Sequence, residues 1–97
     1  VHPLPDWQPR EGLAGSAIAQ LLSWTEDEFL RRTEGSPIRR IGHARWLRNL
    51  AVAAGNALAK ADDDALRAAL QPLAGHPSDL VREHVAWALG QGTGPVA

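Results

Sequence analysis

The feature that most constrains the fold of this chain is an internal repeat of two similar segments. Leu50–Asn56 (LAVAAGN) aligns with Val85–Gln91 (VAWALGQ), so position 50 corresponds to position 85, an offset of 35 residues. Each segment follows an amphipathic stretch and a turn that contains proline. Units that recur at this period indicate stacked helix pairs, because one pair alone cannot bury its apolar face.

Composition supports a helical chain. Among 97 residues there is no Tyr and one Phe, whereas the helix formers Ala, Leu and Arg are abundant. This length suits one domain. We therefore predict an all-α fold, a short HEAT-like helical repeat (an α-solenoid fragment) of about five helices.

Proline and glycine divide the chain into three parts. Residues 1–15 are rich in both and predict a linker or surface strap, anchored by Trp7. Residues 16–91 form the predicted HEAT-like helical domain. Residues 92–97 predict a flexible tail.

Capping signals predict where the helices begin. Thr25–Glu28 has the pattern of a capping box, and Ser36–Pro37 supplies an N-cap followed by a first helical residue. Asp62–Asp64 opens a further helix, and Ser78 or Asp79 caps the last one.

A central helix is expected over His43–Asn56, with a stripe of apolar positions at i, i+3, i+4, i+7 and i+11. These positions are Leu47, Leu50, Ala51, Ala54 and Leu58. A second stripe precedes Gly75 and comprises Leu66, Ala69, Leu70 and Leu73. We expect Trp46 and Trp87 to fill the core volume that the small alanines leave.

The sequence predicts no catalytic residues and no metal ligands. There is no cysteine, and Asp62–Asp64 lacks the spacing of a calcium loop. No two histidines have the i, i+3 or i+4 spacing of a helical metal pair; they are His2, His43, His76 and His84. Uninterrupted apolar runs are too short to cross a membrane, and the N-terminus lacks the pattern of a signal peptide. We therefore expect a cytoplasmic location and no membrane partner.

Positive charge is concentrated in one segment. The chain has a net charge of −1, yet six of its ten basic residues and a single acid, Glu34, lie between Arg31 and Arg48. This segment therefore carries a net charge of +5 and the remainder −6. Such asymmetry favours an anionic partner.

The basic segment supplies the candidate binding residues. Ser36 begins a helix whose amides are expected to face an anion, and Arg39 and Arg40 follow within the same turn. Arg45, Arg48 and Asn49 share one helix flank. Guanidinium groups suit phosphate oxygens, so we predict RNA or anion binding by Arg39, Arg40, His43, Arg45, Arg48 and Asn49. The alternative is a solvated face whose arginines pair with the acidic helices around it.

Two parts of the sequence resemble the C-terminal part of epoxyqueuosine reductases. The more specific is Phe29–Asn49, which contains GSPIRRIGH and RWLRN, followed by Ala51–Asn56. The other is the ending Leu80–Gly90, which follows a His-Pro turn and contains REHVAWALG. Together the resemblance covers about Leu21–Gln91.

The resemblance implies an accessory role. The family reduces epoxyqueuosine to queuosine in the anticodon of certain tRNAs, with cobalamin and two [4Fe–4S] clusters bound by upstream cysteine motifs. This chain lacks those cysteines and begins without Met, so we expect a fragment that binds no cofactor itself. Its expected partners are the tRNA anticodon stem-loop and the upstream catalytic and ferredoxin-like domains. The second hypothesis is a HEAT-like protein-interaction module that does not bind RNA.

Overall fold

The computed structural model describes residues 15–91, and every regular element within them is helical. The five α-helices are α1 (Gly15–Leu22), α2 (Glu26–Arg32), α3 (Gly42–Lys60), α4 (Asp64–Leu70) and α5 (Asp79–Leu89). Two 3₁₀ helices, Pro37–Ile41 and Gln71–Gly75, precede α3 and α5. The all-α prediction is confirmed. The predicted strap and its Trp7 anchor, apart from Gly15, lie outside the described residues, as does the tail 92–97.

The predicted N-caps form as hydrogen bonds, but within the described residues the Glu28 carboxylate does not make the return bond of the capping box. The Thr25 hydroxyl accepts from the Glu28 amide at 3.1 Å, and the Asp63 carboxylate accepts from the Leu66 amide at 3.0 Å. At α5 the cap is Ser78. The Glu28 carboxylate pairs with Arg32 at 2.9 Å, one turn later.

The longest helix, α3, forms the centre of the core. It runs to Lys60, beyond the predicted end at Asn56. The helix continues through Gly55, which is one of its buried residues. The buried residues of α3 are Trp46, Leu47, Leu50, Ala51, Ala53, Ala54, Gly55 and Leu58, which is the expected stripe broadened to more than one face.

Helix α1 packs on α4 and on α3, and the most extensive interface joins α3 to α5. His43, at the start of α3, is a neighbour of His76, which lies just before α5, and Gly55 meets Trp87 near the ends of the same two helices. Helices α3 and α5 therefore run in the same direction. This pairing is compatible with the HEAT-like repeat predicted from the sequence.

An aromatic cluster holds α2 against α3. The buried Trp46 ring stacks on Trp24 with centroids 5.4 Å apart, and it lies 5.3 Å from Phe29 at a tilted angle. The Arg32 guanidinium covers the Trp24 ring, 5.1 Å from its centroid. Contacts of this kind add to the burial energy of the rings, so they fix the position of the short α2.

One expectation about the core is wrong. Trp87 is 43% exposed, because the buried positions of α5 are Val81, Val85 and Ala88 and Trp87 lies about 100° around the helix from Ala88. Leu73, the last position of the second stripe, packs on the core as expected, but it does so from the second 3₁₀ helix, where it is partly buried.

Trp87 lies where α5 crosses Gly55. A methyl group at position 55 would collide with three atoms of the six-membered ring of Trp87. The absence of a side chain at Gly55 therefore allows the indole to rest directly on the α3 backbone.

We expect Gly55→Ala to destabilise the protein. In an open helix this change stabilises by about 1 kcal/mol, but here the indole must move, so the free energy of unfolding should fall by about 1–2 kcal/mol. Urea unfolding measures the difference, with the exposed neighbour Asn56→Ala as the control. A Gly55→Ala variant that is more stable than the unchanged protein would contradict a close contact between the Trp87 ring and the backbone at Gly55.

The turn between the second 3₁₀ helix and α5 contains a histidine that resists protonation. Burial lowers the pKa of His76 below its ordinary value of 6.5; His43 and Arg82 lower this pKa further, and Glu26 opposes them. The Nδ1 atom of His76 accepts a hydrogen bond from the Ser78 amide at 3.0 Å. The other ring nitrogen therefore carries the proton in the neutral form.

Acidification should destabilise the fold through His76. Because the pKa is lowered in the folded state, the unfolded chain takes up this proton first, and stability falls as the pH drops through about 6.5. Above about pH 6.5 His76 is neutral in both the folded and the unfolded chain, so it causes no loss of stability there. Urea unfolding at about pH 8 and about pH 5 should show a smaller acid-induced loss in His76→Asn, whose side-chain oxygen can still accept from Ser78. Equal losses in both proteins would contradict the assignment.

Candidate nucleic-acid interface

Arg39 and Arg40 lie on the exposed first 3₁₀ helix. Their side chains line an open depression of about 620 Å³ together with Leu30, Gly35, Ser36 and Pro37. Positive φ angles of 80° at Gly35 and 85° at Gly42 form the turns on either side of this helix. Both angles lie in the region that favours glycine, so these glycines set the direction in which the two arginines project.

The amides at this helix start are not free. The Ser36 hydroxyl accepts from the Ile38 amide at 3.2 Å, and the Ser36 carbonyl accepts from the Arg39 amide at 3.1 Å. Pro37 has no amide hydrogen. The expectation that Ser36 presents free amides to an anion is therefore wrong, because the residue caps its own helix. Any anion in the depression would meet side chains.

The other candidates lie on the solvent side of α3. Arg45 is exposed, and Arg48 and Asn49 are half-buried. Arg45, Asn49 and Asn56 are spaced by four and seven residues, so they form one stripe along the helix. The Nε atom of Arg48 is buried and has no hydrogen-bond partner within residues 15–91. The aliphatic part of the Arg48 side chain is therefore packed against the protein.

The arginines of the basic segment are largely unneutralised. Among the described residues, the arginines that pair with carboxylates are Arg32, Arg67 and Arg82. Arg31 and the four candidate arginines make no ion pair with a carboxylate anywhere in residues 15–91. The alternative of a basic face paired with acidic helices therefore receives no support in this part of the chain.

His43 differs from the other candidates, because it contacts the interior. Its Nε2 atom lies 3.0 Å from the Trp24 carbonyl, and its ring is 5.6 Å from Phe29 and 6.3 Å from His76. The side chain therefore joins the loop after α1 to the start of α3.

Sequence reasoning missed the apolar floor of this surface. Leu30, Gly35 and Pro37 line the depression beside the arginines. The sequence signal for this depression is the turn between the two helices, where Gly35 is followed by Ser36 and by Pro37, the first residue of the 3₁₀ helix. Ile41, at the end of the 3₁₀ helix, is 38% exposed.

Neither a metal site nor a membrane span is present in the described part of the chain. Residues 15–91 contain no group of three or more His, Asp or Glu side chains that could hold a metal ion. None of the helices in this range is both long and apolar enough to cross a bilayer.

Several relatives at high identity bear the same name. The epoxyqueuosine reductase of Alicycliphilus denitrificans is 61% identical over 93 residues, which are 92% of this chain and 26% of that protein. The one of Pseudomonas aeruginosa is 55% identical over 84 residues, 87% of this chain and 22% of that protein. The one of Escherichia coli is 49% identical over 87 residues, 89% of this chain and 22% of that protein.

The chain spans about a quarter of the length of the curated relatives it matches. No model of a protein family matches the sequence, and no solved structure matches it. The resemblance inferred from the basic segment is confirmed at the level of the family: this chain is homologous to a segment of proteins named epoxyqueuosine reductase.

Proposed function

We propose that this chain is the C-terminal, tRNA-binding accessory domain of an epoxyqueuosine reductase. The observation that carries the proposal is the unneutralised state of Arg39, Arg40, Arg45 and Arg48 within residues 15–91. These side chains occupy the first 3₁₀ helix and the first half of α3, two elements that are contiguous in the chain. The partner is the anticodon stem-loop of a tRNA.

The chemistry of the surface suits an RNA backbone. A guanidinium group can donate two parallel hydrogen bonds to phosphate oxygens, and its charge does not titrate. Binding displaces counterions from the RNA, so several such contacts give a favourable but salt-dependent free energy. We assign the four arginines to phosphates. Asn49 has both a donor and an acceptor, and we assign it to a base edge.

Ser36 and His43 have supporting roles in this proposal. The Ser36 hydroxyl caps the helix that carries Arg39 and Arg40, and it can contact RNA only through its side chain. His43 bonds to the Trp24 carbonyl and so orients the start of α3. We therefore place both residues at the edge of the interface.

The cofactors implied for the family do not fit this segment. Iron–sulfur clusters need cysteine thiolates, and the chain has none. We derive no chemical step here: in the proposal the reduction, its [4Fe–4S] clusters and its cobalamin belong to the upstream catalytic and ferredoxin-like domains of a longer cytoplasmic enzyme.

A protein-interaction module is the second candidate. Ile41 is exposed beside the arginines, and the relatives are about four times longer than this chain. The arginine surface, formed by Arg39, Arg40, Arg45 and Arg48, could then contact another domain of the same protein. RNA titration separates the two functions.

We expect Arg45→Ala to reduce the salt dependence of RNA binding. The log–log slope of affinity against salt concentration should shrink by about one when a guanidinium that contacts phosphate is removed. Fluorescence anisotropy with a labelled anticodon stem-loop, repeated at several salt concentrations, measures this slope. Arg39→Ala, Arg40→Ala and Arg48→Ala should behave alike.

Arg32→Gln is the matched control. It removes one positive charge from the same segment, but this guanidinium already pairs with Glu28. Its slope should therefore stay close to that of the unchanged protein. A folded chain that does not bind the stem-loop even at low salt would contradict RNA binding and favour the interaction module.

A further inference from the structure

We propose that Trp87 is a stacking platform for an unpaired nucleobase of the bound RNA. This inference rests on the proposed function and extends it from the phosphate backbone to a base. It concerns the part of the surface near the end of α3, where α5 crosses Gly55.

Trp87 is accessible, unlike the buried Trp46. With 43% of its surface exposed, it is one of two large apolar side chains most open to solvent in residues 15–91, the other being Ile41. Burying an indole in the core would stabilise the fold, so its exposure forgoes part of that gain. An exposed aromatic ring beside a basic helix is the usual arrangement for single-stranded nucleic acid.

The indole is also held in place. Its six-membered ring rests against Gly55, where any side chain would displace it. The end of α5 is tied to α4 by Arg67, which donates to the carbonyls of Leu89 and Gln91, both at 3.1 Å. A ring that is already positioned loses little conformational freedom when a base stacks on it.

The ring lies within reach of the arginine surface. Gly55 and Arg48 are seven residues apart, so they share a face of α3 and are separated by about 10 Å along its axis. A short stretch of nucleotides can span this distance, with phosphates at Arg45 and Arg48 and a base on Trp87.

The charges on α5 and α3 decide how an RNA strand would lie at the ring. Glu83 lies one turn before Trp87 on α5 and is exposed, so its carboxylate disfavours phosphates along α5. The unneutralised Arg48 attracts them on the α3 side. A strand that places its phosphates along α3 therefore satisfies both elements, and every base has a π face to offer the indole.

Trp87→Leu and Trp87→Phe test the proposal with an RNA hairpin that carries an anticodon-type loop. Leucine keeps apolar packing on Gly55 but has no π face, so the affinity should fall by roughly 5- to 150-fold. Phenylalanine should retain most of the affinity. The salt slope should not change in either variant, because neither loses a charge.

A second hairpin, identical except that its loop nucleotides are abasic, shows whether the lost contact is to a base. Trp87→Leu should bind this hairpin as the unchanged protein does, since the stacking partner is already absent. Circular dichroism and thermal unfolding of the variants establish that they are folded.

Two failures are distinguishable. If Arg45→Ala lowers the affinity for the intact hairpin but Trp87→Leu does not, the stacking platform is refuted and the proposed function stands. The exposed ring would then be a contact for another protein surface instead of a base. If the folded chain binds neither hairpin at low salt, both proposals are refuted.

Discussion

The structure depends on the burial of α3. This helix packs on α1, on the first 3₁₀ helix and on α5, so three neighbours cover most of its circumference. What stays open is a narrow stripe that begins at Arg45 and passes Asn49 and Asn56. A central helix of this kind presents few side chains to a ligand, and those few are polar or basic. Core packing thus determines which residues of α3 can take part in the candidate interface, whereas Arg39 and Arg40 lie outside α3, on the first 3₁₀ helix.

The aromatic cluster transmits that constraint to the 3₁₀ helix. Trp46 of α3 packs against Trp24 and Phe29, and His43 bonds to the Trp24 carbonyl, so the short α2 has little freedom to shift. The turn at Gly35 then directs Pro37–Ile41 back toward the start of α3. The buried Ile38 attaches this 3₁₀ helix to the core, and the guanidinium groups of Arg39 and Arg40 make no ion pair with a carboxylate in residues 15–91.

Much of this arrangement could be predicted from local signals. Thr25, Asp63 and Ser78 begin helices as expected, because an N-cap depends on the residue and the next few amides. Trp87 could not be placed in this way. Its position beside Gly55 depends on how α5 crosses α3, and helical periodicity alone does not reveal a crossing. The amides after Ser36 were also misjudged, since a serine that caps its own helix uses the donors an anion would need.

Two groups of arginines within residues 15–91 differ in their consequences for the proposed binding. Arg32, Arg67 and Arg82 pair with carboxylates and hold helix termini or rings in place; the Arg67 guanidinium also lowers the pKa of Asp62 through a hydrogen bond and its charge. The four candidates have no such partner in residues 15–91, so the proposed binding of a polyanion is compatible with a net charge of −1 for the whole chain. If four arginines contact phosphates, the affinity of the chain for RNA should fall on the order of 100-fold between about 50 and about 200 mM salt. Backbone contacts of that number hold RNA weakly at cellular ionic strength, so the proposed base contact and the rest of a longer enzyme would have to supply most of the remaining affinity.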